Sequence, residues 1–364
     1  MAAEFHIDPH TALTADIRIV DQAMLVPFDD KHPRRAPALG GVLTKFGGFV
    51  GSSAHFMTET RPQTVAPNHA SAKDPNTRQG TWLYGGKHDN RFGHFLVETL
   101  ARLWALDAGL GDVDGVAFIP KKVMPAARSI KQMTQTRDLF AMIADMPPYD
   151  VVTRPTRFDR LIVPPQGCGA GMLAPGCPEF RAFIRNRFAT GILPSQLGSK
   201  IYVSRTKIRN TPGHILFEDV IEAAAMAEGY EVYHPQDHTL PDQIARYRGA
   251  SQILGVEGSA FHLIAMANPP SARIGMIRRR QGTAPLGFSD QVFLMTGRPC
   301  ALLGDVVAAF FIPGTHAMAN AVLDLQRLFA QLGDEGFFKH RHDVTEPSED
   351  AIQLAKAALQ ASIF

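Results

Sequence analysis

The sequence has few cysteines, almost no excess of charge of either sign and no long apolar run. Its 364 residues contain 37 Lys and Arg against 35 Asp and Glu, so bulk charge indicates no nucleic-acid partner. The longest apolar stretches, such as 306–313, fall well short of the ~20 residues that cross a bilayer. An anionic ligand must therefore be held by a local cluster of cations, and any membrane contact is peripheral.

The scarcity of cysteine limits the covalent and metal chemistry. Cys168, Cys177 and Cys300 are an odd number in a long chain, which argues against a disulfide framework and fits a reducing compartment. We expect buried thiols; metal binding by Cys168 and Cys177 is the less favoured alternative, because paired ligands normally lie closer in sequence. No basic start followed by an apolar run is visible at the N-terminus, so we expect a cytoplasmic protein.

Strand-like and helical segments alternate in the second half of the chain. This pattern predicts a parallel, Rossmann-like sheet and an α/β fold. The predicted strands are 200–204, 230–234, 252–256 and 272–277, and the predicted helices between them are 217–228, 240–248 and 259–266.

The first half alternates less clearly. Its predicted strands are 82–85, 116–119, 149–152 and 160–163, and its predicted helices are 91–107, 126–144 and 178–188. Residues 1–80 show no clear period, and the polar stretch 66–80 indicates a solvated loop and a candidate lid.

Proline- and glycine-rich breaks divide the chain near residue 195. We predict a Rossmann-like domain over 1–195, irregular over 1–80, and a second Rossmann-like domain over 196–320. The remaining residues, 321–364, are predicted to form C-terminal helices. The last of these, 348–362, is a candidate to pack back on the N-terminal domain.

The first candidate site lies on the predicted helix 91–107. At about 100° per residue, His94, Glu98 and Arg102 share one face. A histidine and a carboxylate four residues apart can share a proton and tune each other's pKa for general-base catalysis; the alternative is a solvated face with a modest ion pair. Asn90 is predicted as an N-cap, a ligand or both.

A second candidate site follows the predicted strand 200–204, where Arg205, Lys207 and Arg209 place cations close together. Ligands bind at the carboxyl ends of strands in open α/β sheets. Arg205 and Lys207 can neutralise a diphosphate there, the arginine through a planar fork of donors and the lysine as a point charge. The alternative is a solvated loop.

Small residues mark a third candidate site between the predicted strand 252–256 and the next helix. Gly258, Ser259 and Ala260 let backbone amides approach a phosphate at a helix N-terminus; the alternative is close helix-to-strand packing. The turn lacks the complete dinucleotide fingerprint, which disfavours an NAD-dependent oxidoreductase. By itself, His262 fits a buried, hydrogen-bonded histidine better than a ligand.

The arginines that follow the predicted strand 272–277 interrupt the apolar pattern. Arg278, Arg279 and Arg280 form an unbroken run, and runs of like charge normally face solvent. We expect these arginines to be surface charge rather than part of a binding site.

Several segments together resemble the family 61 glycosyltransferases in order and spacing. The resemblance extends over about 87–280 and implies a GT-B architecture, with two Rossmann-like domains facing across a cleft. The resemblance implies that the second domain, 196–320, holds the nucleotide-sugar without a metal. It also implies that the first domain, 1–195, is the acceptor side. The segments are HDNRFGHFLVETLARL at 88–103, IYVSRTKIRN at 201–210, the acidic helix after it, YEVYHPQDHTLPDQIARYRGA at 230–250 and ILGVEGSAFHLIAMA at 253–267.

The resemblance also implies an activity. Family members are generally inverting, so the expected reaction moves a sugar from a nucleotide-sugar, with a UDP-sugar as the expected donor, to a glycan or glycolipid acceptor. The family's Asn, His and acidic residue fall on Asn90, His94 and Glu98, and His94 and Glu98 are our catalytic candidates. The candidates for donor binding are Asn90, Arg205, Lys207, Arg209, Gly258, Ser259, Ala260 and His262.

Two positions depart from the family pattern: Glu257 replaces a frequent histidine, and Leu263 replaces a frequent asparagine. A carboxylate about 4 Å from a diphosphate would be repelled by roughly 4 kcal/mol at an effective dielectric constant of about 20. Glu257 therefore faces a ribose or sugar hydroxyl, is itself the catalytic base, or marks a branch with an altered donor or weakened catalysis.

The resemblance places the expected activity in envelope polysaccharide biosynthesis. Capsule, lipopolysaccharide or exopolysaccharide would be made at the cytoplasmic side of the inner membrane, with peripheral contact to that membrane. This expectation is an analogy between family members. The alternative function is a non-catalytic nucleotide- or glycan-binding partner of a polysaccharide-assembly system on the same fold.

Overall fold

A mixed sheet and a parallel sheet organise the two parts of the chain. The computed structural model describes residues 8, 10–28, 37–58, 61–67, 75–121, 126–208, 213–312 and 319–363. The chain divides into two compact units, Met1–Thr190 and Gly191–Phe364. Arg209, one of the predicted donor-binding residues, lies outside the described residues.

The first unit is built on a six-stranded sheet with helices around it. The strands of the unit are β1 (Arg18–Val26), β2 (Ala38–Leu39), β3 (Gly41–Leu43), β4 (Thr64–Val65), β5 (Asn76–His88), β6 (Gly115–Pro120), β7 (Tyr149–Val151) and β8 (Thr156–Val163). Of these, β2 and β4 pair in a separate two-stranded sheet. The helices of the unit are α1 (Phe92–His94), α2 (Ala126–Gln135), α3 (Arg137–Phe140) and α4 (Pro178–Arg187). The strand order is β3–β1–β8–β5–β6–β7.

Strands β8, β5, β6 and β7 run parallel, whereas β1 is antiparallel to both β8 and β3. The prediction of irregular structure over 1–80 is therefore wrong for β1. The loop or lid predicted for 66–80 is also wrong for 76–80, which open β5; residues 68–74 lie outside the described residues. The side chains of 76–79 face solvent while their backbone pairs with β8, so this strand has no apolar pattern.

The second unit is built on a five-stranded sheet. The strands of this sheet are β9 (Lys200–Val203), β10 (Glu231–Tyr233), β11 (Gln252–Val256), β12 (Arg273–Ile277) and β13 (Cys300–Leu303). A separate two-stranded sheet is formed by β14 (Val306–Phe310) and β15 (Asn320–Leu323). The helices of the unit are α5 (Glu218–Ala227), α6 (Leu240–Gly249), α7 (Ala260–Ala267), α8 (Ala284–Thr296), α9 (Leu325–Asp334) and α10 (Glu349–Ile363). The sheet order is β10–β9–β11–β12–β13, and every neighbouring pair is parallel.

This order confirms the predicted parallel, Rossmann-like sheet. From β9 the chain moves outward to β10, and from β11 it moves in the opposite direction to β12 and β13. The carboxyl ends of β9 and β11 therefore border the point where the strand order reverses. Doubly wound sheets bind ligands at such a point.

Each unit has its own apolar core. In the first unit, Leu25, Tyr84 and Phe158 belong to a buried cluster on the six-stranded sheet. In the second unit, Tyr202 and Leu254 pack in a cluster that includes side chains from α5 and α9. All three cysteines are buried and free, which confirms the prediction of buried thiols. Among the described residues, no helix has the length and apolar character needed to cross a bilayer.

The sequence predicts one regular helix over 91–107. The segment after β5 is helical there, but it is not one regular α-helix. After α1 the chain forms a π-helical turn over Phe95–Thr99 and a 3-10 helix over Leu100–Asp107. Wide π turns inside helices occur frequently at functional sites. All five residues of this turn are buried, so the turn belongs to the core of the first unit.

Candidate active site

In the first unit, polar groups converge where β5 ends and α1 begins. Strand β5 lies between the parallel strands β8 and β6, so its last residues lie inside the sheet rather than at an edge. Lys87 is near the end of this strand, and the chain then turns through Asp89 and Asn90 into the helical segment. The carboxyl end of a central parallel strand is a common position for functional side chains.

Glu98 is the centre of this cluster. Its Oε2 atom lies 2.6 Å from Lys87 Nζ and 3.2 Å from His94 Nδ1. Lys87 also donates a 2.8 Å hydrogen bond to Gln63, so both ends of the contact are fixed. Burial alone would raise the pKa of Glu98, but His94 and the Lys87 charge outweigh burial and lower that pKa to about 2. Glu98 is therefore ionised at neutral pH.

His94 differs from its neighbours in exposure. Its side chain is 37% exposed, whereas that of Glu98 is 4% exposed. Because Nδ1 faces Glu98, a neutral imidazole with its proton on Nδ1 keeps Nε2 as an acceptor. The pair thus combines an accessible imidazole with a buried carboxylate.

Asp89 forms a second buried ion cluster beside the first. Arg91 lies 2.6 Å from its Oδ2 atom and Lys121 lies 3.0 Å from its Oδ1 atom. Burial would raise the pKa of Asp89, but hydrogen bonds from Arg91 and Lys121 lower it well below its usual range. The backbone N–H of Asp89 donates to Thr99 Oγ1 at 2.9 Å, which ties this turn to the π-helical segment.

Asp89, His94 and Glu98 offer ligand atoms that all lie within 4.8 Å of one another. Such a set has the composition of a divalent-metal site. However, Asp89 is already paired with Arg91 and Lys121, and Glu98 with Lys87. A metal ion would have to displace these cations, so the local charge favours proton chemistry over metal binding.

Two expectations about this helix are wrong. The alternative of a solvated polar face fails because Glu98 and Arg102 are buried. Arg102 donates to the carbonyl groups of Ser52 and Ala54 at 2.6 Å each, which is a structural role. The predicted N-cap fails because the cap position is Arg91, and the Asn90 side chain donates to Gln135 at 3.1 Å.

In the second unit, two of the predicted donor-binding residues meet at the carboxyl edge of the sheet. Arg205 follows β9 and Gly258 follows β11, and a Cβ atom added to Gly258 would lie 2.8 Å from Arg205 Nη1. The glycine therefore leaves room for the guanidinium group. Arg205 also donates from Nε to the Gly213 carbonyl at 3.2 Å, and Glu218 accepts its backbone N–H at 2.7 Å.

The other candidates in this unit have different surroundings. The Lys207 side chain is 61% exposed and lies 3.7 Å from Asp237. Ser259 is the N-cap of α7 and is exposed, and Ala260 begins that helix half-buried.

His262 and Leu263 lie farther along α7, and both are buried. The Nδ1 atom of His262 lies 2.5 Å from Gln291 Oε1, and its ring stacks on Phe288 at 4.3 Å between centroids. These contacts agree with a buried, hydrogen-bonded histidine.

Glu257 is fully buried and binds the segment after β12. Its Oε2 atom accepts the backbone N–H of Arg279 at 3.2 Å, and its Oε1 atom accepts Arg280 Nε at 2.6 Å. The expectation that Glu257 faces a sugar hydroxyl is therefore not matched, since both oxygens bind arginine groups. The surface charge predicted for these arginines is also wrong for Arg279, which is 5% exposed.

The chain matches a known protein family. The glycosyltransferase 61 family model matches residues 92–274. The chain belongs to glycosyltransferase family 61. It is a glycosyltransferase, and the matched span includes His94, Glu98, Arg205 and Gly258. No curated protein matches the chain.

In this family 61 chain, sequence reasoning missed Lys87, Asp89 and Lys121 around the first cluster and Arg279 and Arg280 in the second unit. Lys87 and Asp89 precede the matched span, and both arginines follow it. A usable signal was available for each group. Charged residues directly after a buried parallel strand lie at the ligand-binding edge, whether or not they form a run.

Proposed function

We propose that this family 61 glycosyltransferase is an inverting enzyme that uses no metal. It moves a sugar from a nucleotide-sugar, with a UDP-sugar as the expected donor, to a hydroxyl group of a glycan or glycolipid. The observation that carries this proposal is the contact of a partly exposed His94 with the buried, ionised Glu98. This arrangement supports proton abstraction at neutral pH.

The proposed step is a single displacement. The acceptor oxygen forms a bond to the anomeric carbon while the bond from that carbon to the diphosphate oxygen breaks. The acceptor proton passes to His94 Nε2, and the nucleoside diphosphate leaves with the bonding electrons. Glu98 stabilises the imidazolium that forms, as a carboxylate does beside a catalytic histidine. Inversion follows because attack and departure occur on opposite faces of the carbon.

His94 is a better base than either glutamate. Glu98 is buried, and its pKa of about 2 makes it a weak proton acceptor at neutral pH. Glu257 is buried, and both of its oxygens bind arginine groups. We therefore assign His94 as the base and Glu98 as the residue that orients it.

The donor is assigned to the second unit. Arg205 projects over Gly258 at the point where the strand order reverses, and the N-terminus of α7 begins beside it. A guanidinium group and a helix N-terminus both stabilise a leaving diphosphate. Lys207 is more exposed and would add a weaker, screened contribution.

Two broader parts of the proposal rest on family resemblance. One is the GT-B architecture. The other is a role in envelope polysaccharide biosynthesis, such as synthesis of capsule or lipopolysaccharide. Both are analogies between family members and add nothing to the chemistry of the site.

The first experiment is a calorimetric screen of the full chain against UDP-, GDP-, CMP- and dTDP-sugars, with NAD as a control. Selective binding of one sugar nucleotide supports the proposal and names the donor. Binding of NAD alone, or of nothing, contradicts it.

The second experiment tests the base. With the identified donor and an acceptor, His94→Ala should lower kcat by ~10²–10⁴-fold and leave donor affinity unchanged. His10→Ala, which changes an exposed histidine of the same unit, is the control. Normal turnover in the His94 variant would remove this residue from the mechanism.

A further inference from the structure

Four side chains from three strand ends form one charged cluster in the second unit. Arg205 follows β9, Glu257 follows β11, and Arg279 and Arg280 follow β12. These strands are adjacent and parallel, so their carboxyl ends lie at the same edge of the sheet. Arg279 and Arg280 thus lie beside the point of strand-order reversal where Arg205 meets Gly258.

Glu257 fixes the arginines through both its side chain and its backbone. Its carboxylate accepts Arg279 N–H and Arg280 Nε–H, and Arg280 Nη2 forms an ion pair with the same Oε1 atom. The Glu257 carbonyl accepts Arg279 Nε–H at 2.8 Å. Glu257 N–H donates to the Ile277 carbonyl at 2.9 Å, which joins the ends of β11 and β12.

Arg279 has an unmet hydrogen-bonding requirement. It is 5% exposed, and its Nη1 atom is buried with no hydrogen-bond acceptor among the described residues. Leaving a buried N–H group of a cation without an acceptor is costly. Burial, together with repulsion from Arg205 and Arg280, lowers the pKa of Arg279 to about 9. The site is therefore short of negative charge and of acceptors.

The carboxylates in the cluster do not balance its arginines. The Glu257 carboxylate pairs directly with Arg280 and attracts the charges of Arg205 and Arg279 electrostatically. One carboxylate therefore faces all of these guanidinium groups. Glu218 also faces Arg205, but burial raises the pKa of Glu218 to about 7. Glu218 consequently carries only part of a negative charge near neutral pH. The positive charge that remains suits a ligand with more than one anionic oxygen.

We propose that Arg279 and Arg280 bind the diphosphate of the nucleotide-sugar together with Arg205, and that Glu257 is the positioning residue that holds both arginines. This assignment rests on the proposed function and adds residues to its donor site. It gives Glu257 no part in proton transfer. It also explains how a carboxylate is tolerated in this turn, because the carboxylate binds the arginines and does not face the phosphates.

Inorganic pyrophosphate is the probe for the arginines, since it carries the diphosphate without a base or sugar. Calorimetry compares the full-length wild type with Arg279→Gln and Arg280→Gln, and nucleoside diphosphates are titrated in parallel. Each variant should weaken binding at least tenfold. Arg278→Gln is the matched control, because Arg278 pairs with Asp305 at 3.0 Å and should leave affinity within twofold of wild type.

Folding is checked by thermal unfolding of each variant. If Arg279→Gln does not fold, Arg279→Lys replaces it, because lysine keeps the charge but cannot supply both Nε and Nη1. If the wild type binds pyrophosphate and the Arg279 and Arg280 variants bind it equally well, this assignment is overturned but the proposed function is not. A wild-type chain that binds neither pyrophosphate nor any nucleoside diphosphate overturns the proposed donor site as well.

Glu257→Gln separates positioning from catalysis. A positioning role predicts at least threefold weaker pyrophosphate binding and a rise in donor KM. It also predicts that Arg280→Gln weakens pyrophosphate binding less in the Glu257→Gln variant than in the wild type. Loss of kcat with diphosphate affinity as in the wild type would instead identify Glu257 as the base and overturn this part of the inference.

Discussion

The buried side chain of Lys87 holds the Glu98 carboxylate in its charged form beside His94. Lys87 contacts Glu98 at 2.6 Å, and both side chains are largely inaccessible to solvent. A buried carboxylate without such a partner would have a raised pKa and compete with His94 for the proton. With Lys87 in place, Glu98 stays ionised beside His94.

The Glu98 ion pair predicts an acid-dependent loss of stability. The folded-state pKa is about 2, below the ordinary 4.5, so Glu98 stabilises the fold above about pH 4.5 and loses that contribution as the pH falls toward 2. The difference corresponds to about 3 kcal/mol. Glu98→Gln should lower the free energy of unfolding by about this amount at pH 7, and less as the pH falls, because protonated Glu98 resembles glutamine.

Urea unfolding of the wild type and Glu98→Gln from pH 7 to pH 3.5 measures this convergence. Asp112→Asn is the control, since Asp112 is an exposed carboxylate of the same unit. A stability difference that stays constant across this range would contradict the assignment of the low pKa to Glu98.

Metal removal tests the charge pattern around Asp89, His94 and Glu98. Because lysines and an arginine already neutralise the two carboxylates, turnover should be unchanged after dialysis against EDTA. The measurement is the initial rate with and without added Mg²⁺ or Mn²⁺. Loss of activity that a divalent ion restores would show that a metal displaces the cations.

At the scale of secondary-structure elements, the turn from β11 to α7 depends on the absence of a side chain at Gly258. A Cβ atom there would lie 2.8 Å from Arg205 Nη1, so Gly258→Ala should displace the guanidinium group. We expect nucleoside diphosphate affinity to fall about tenfold, or about 1.4 kcal/mol, through the loss of a charge-assisted bond.

The matched control is Gly333→Ala in α9, where an added Cβ atom would meet nothing within 4 Å. That change should leave affinity unaltered and stabilise the helix slightly, since alanine is the better helix former. Isothermal titration of both variants decides the matter. Equal affinities would mean that Arg205 does not need the space above Gly258.

The second sheet could be predicted because each of its elements carries its own signal. The bounds of β11 agree with the prediction 252–256, and α6 differs from its predicted end by one residue. Strands buried on both faces are apolar throughout, and short helices between them keep a clear period. Strand β1 and the start of β5 lack this signal, because their positions depend on pairing with the distant strand β8.

The candidate site was predictable in part for a related reason. Spacing places His94 and Glu98 together, because four residues along a helix is a local relation. Lys87 and Lys121 reach the cluster only through the fold. Arg279 was missed because a run of arginines in a sequence resembles solvated charge. Only the pairing of β11 with β12 brings Glu257, the carboxylate that binds Arg279, next to this run.

At the scale of the whole molecule, the division into two units with separate cores predicts that a donor protects one unit more than the other. Sugar nucleotide at about 100 times its Kd should stabilise the unit that binds it by about 2.7 kcal/mol. Hydrogen exchange followed by mass spectrometry should show this as slower exchange in β9 and β11, with little change in β5 and β8. Protection of similar size in both units would contradict donor binding by the second unit alone.

The bonds from Glu257 to Arg279 and Arg280 hold these guanidinium groups before any ligand arrives. Ordering a long side chain on binding costs roughly 0.5–1.5 kcal/mol, and here that cost is met during folding. The same rigidity does not distinguish the donor from the nucleoside diphosphate left after transfer, since both carry the same phosphates. From this proposed site we expect inhibition by the nucleoside diphosphate product, so that the rate of the enzyme depends on how quickly this product is removed.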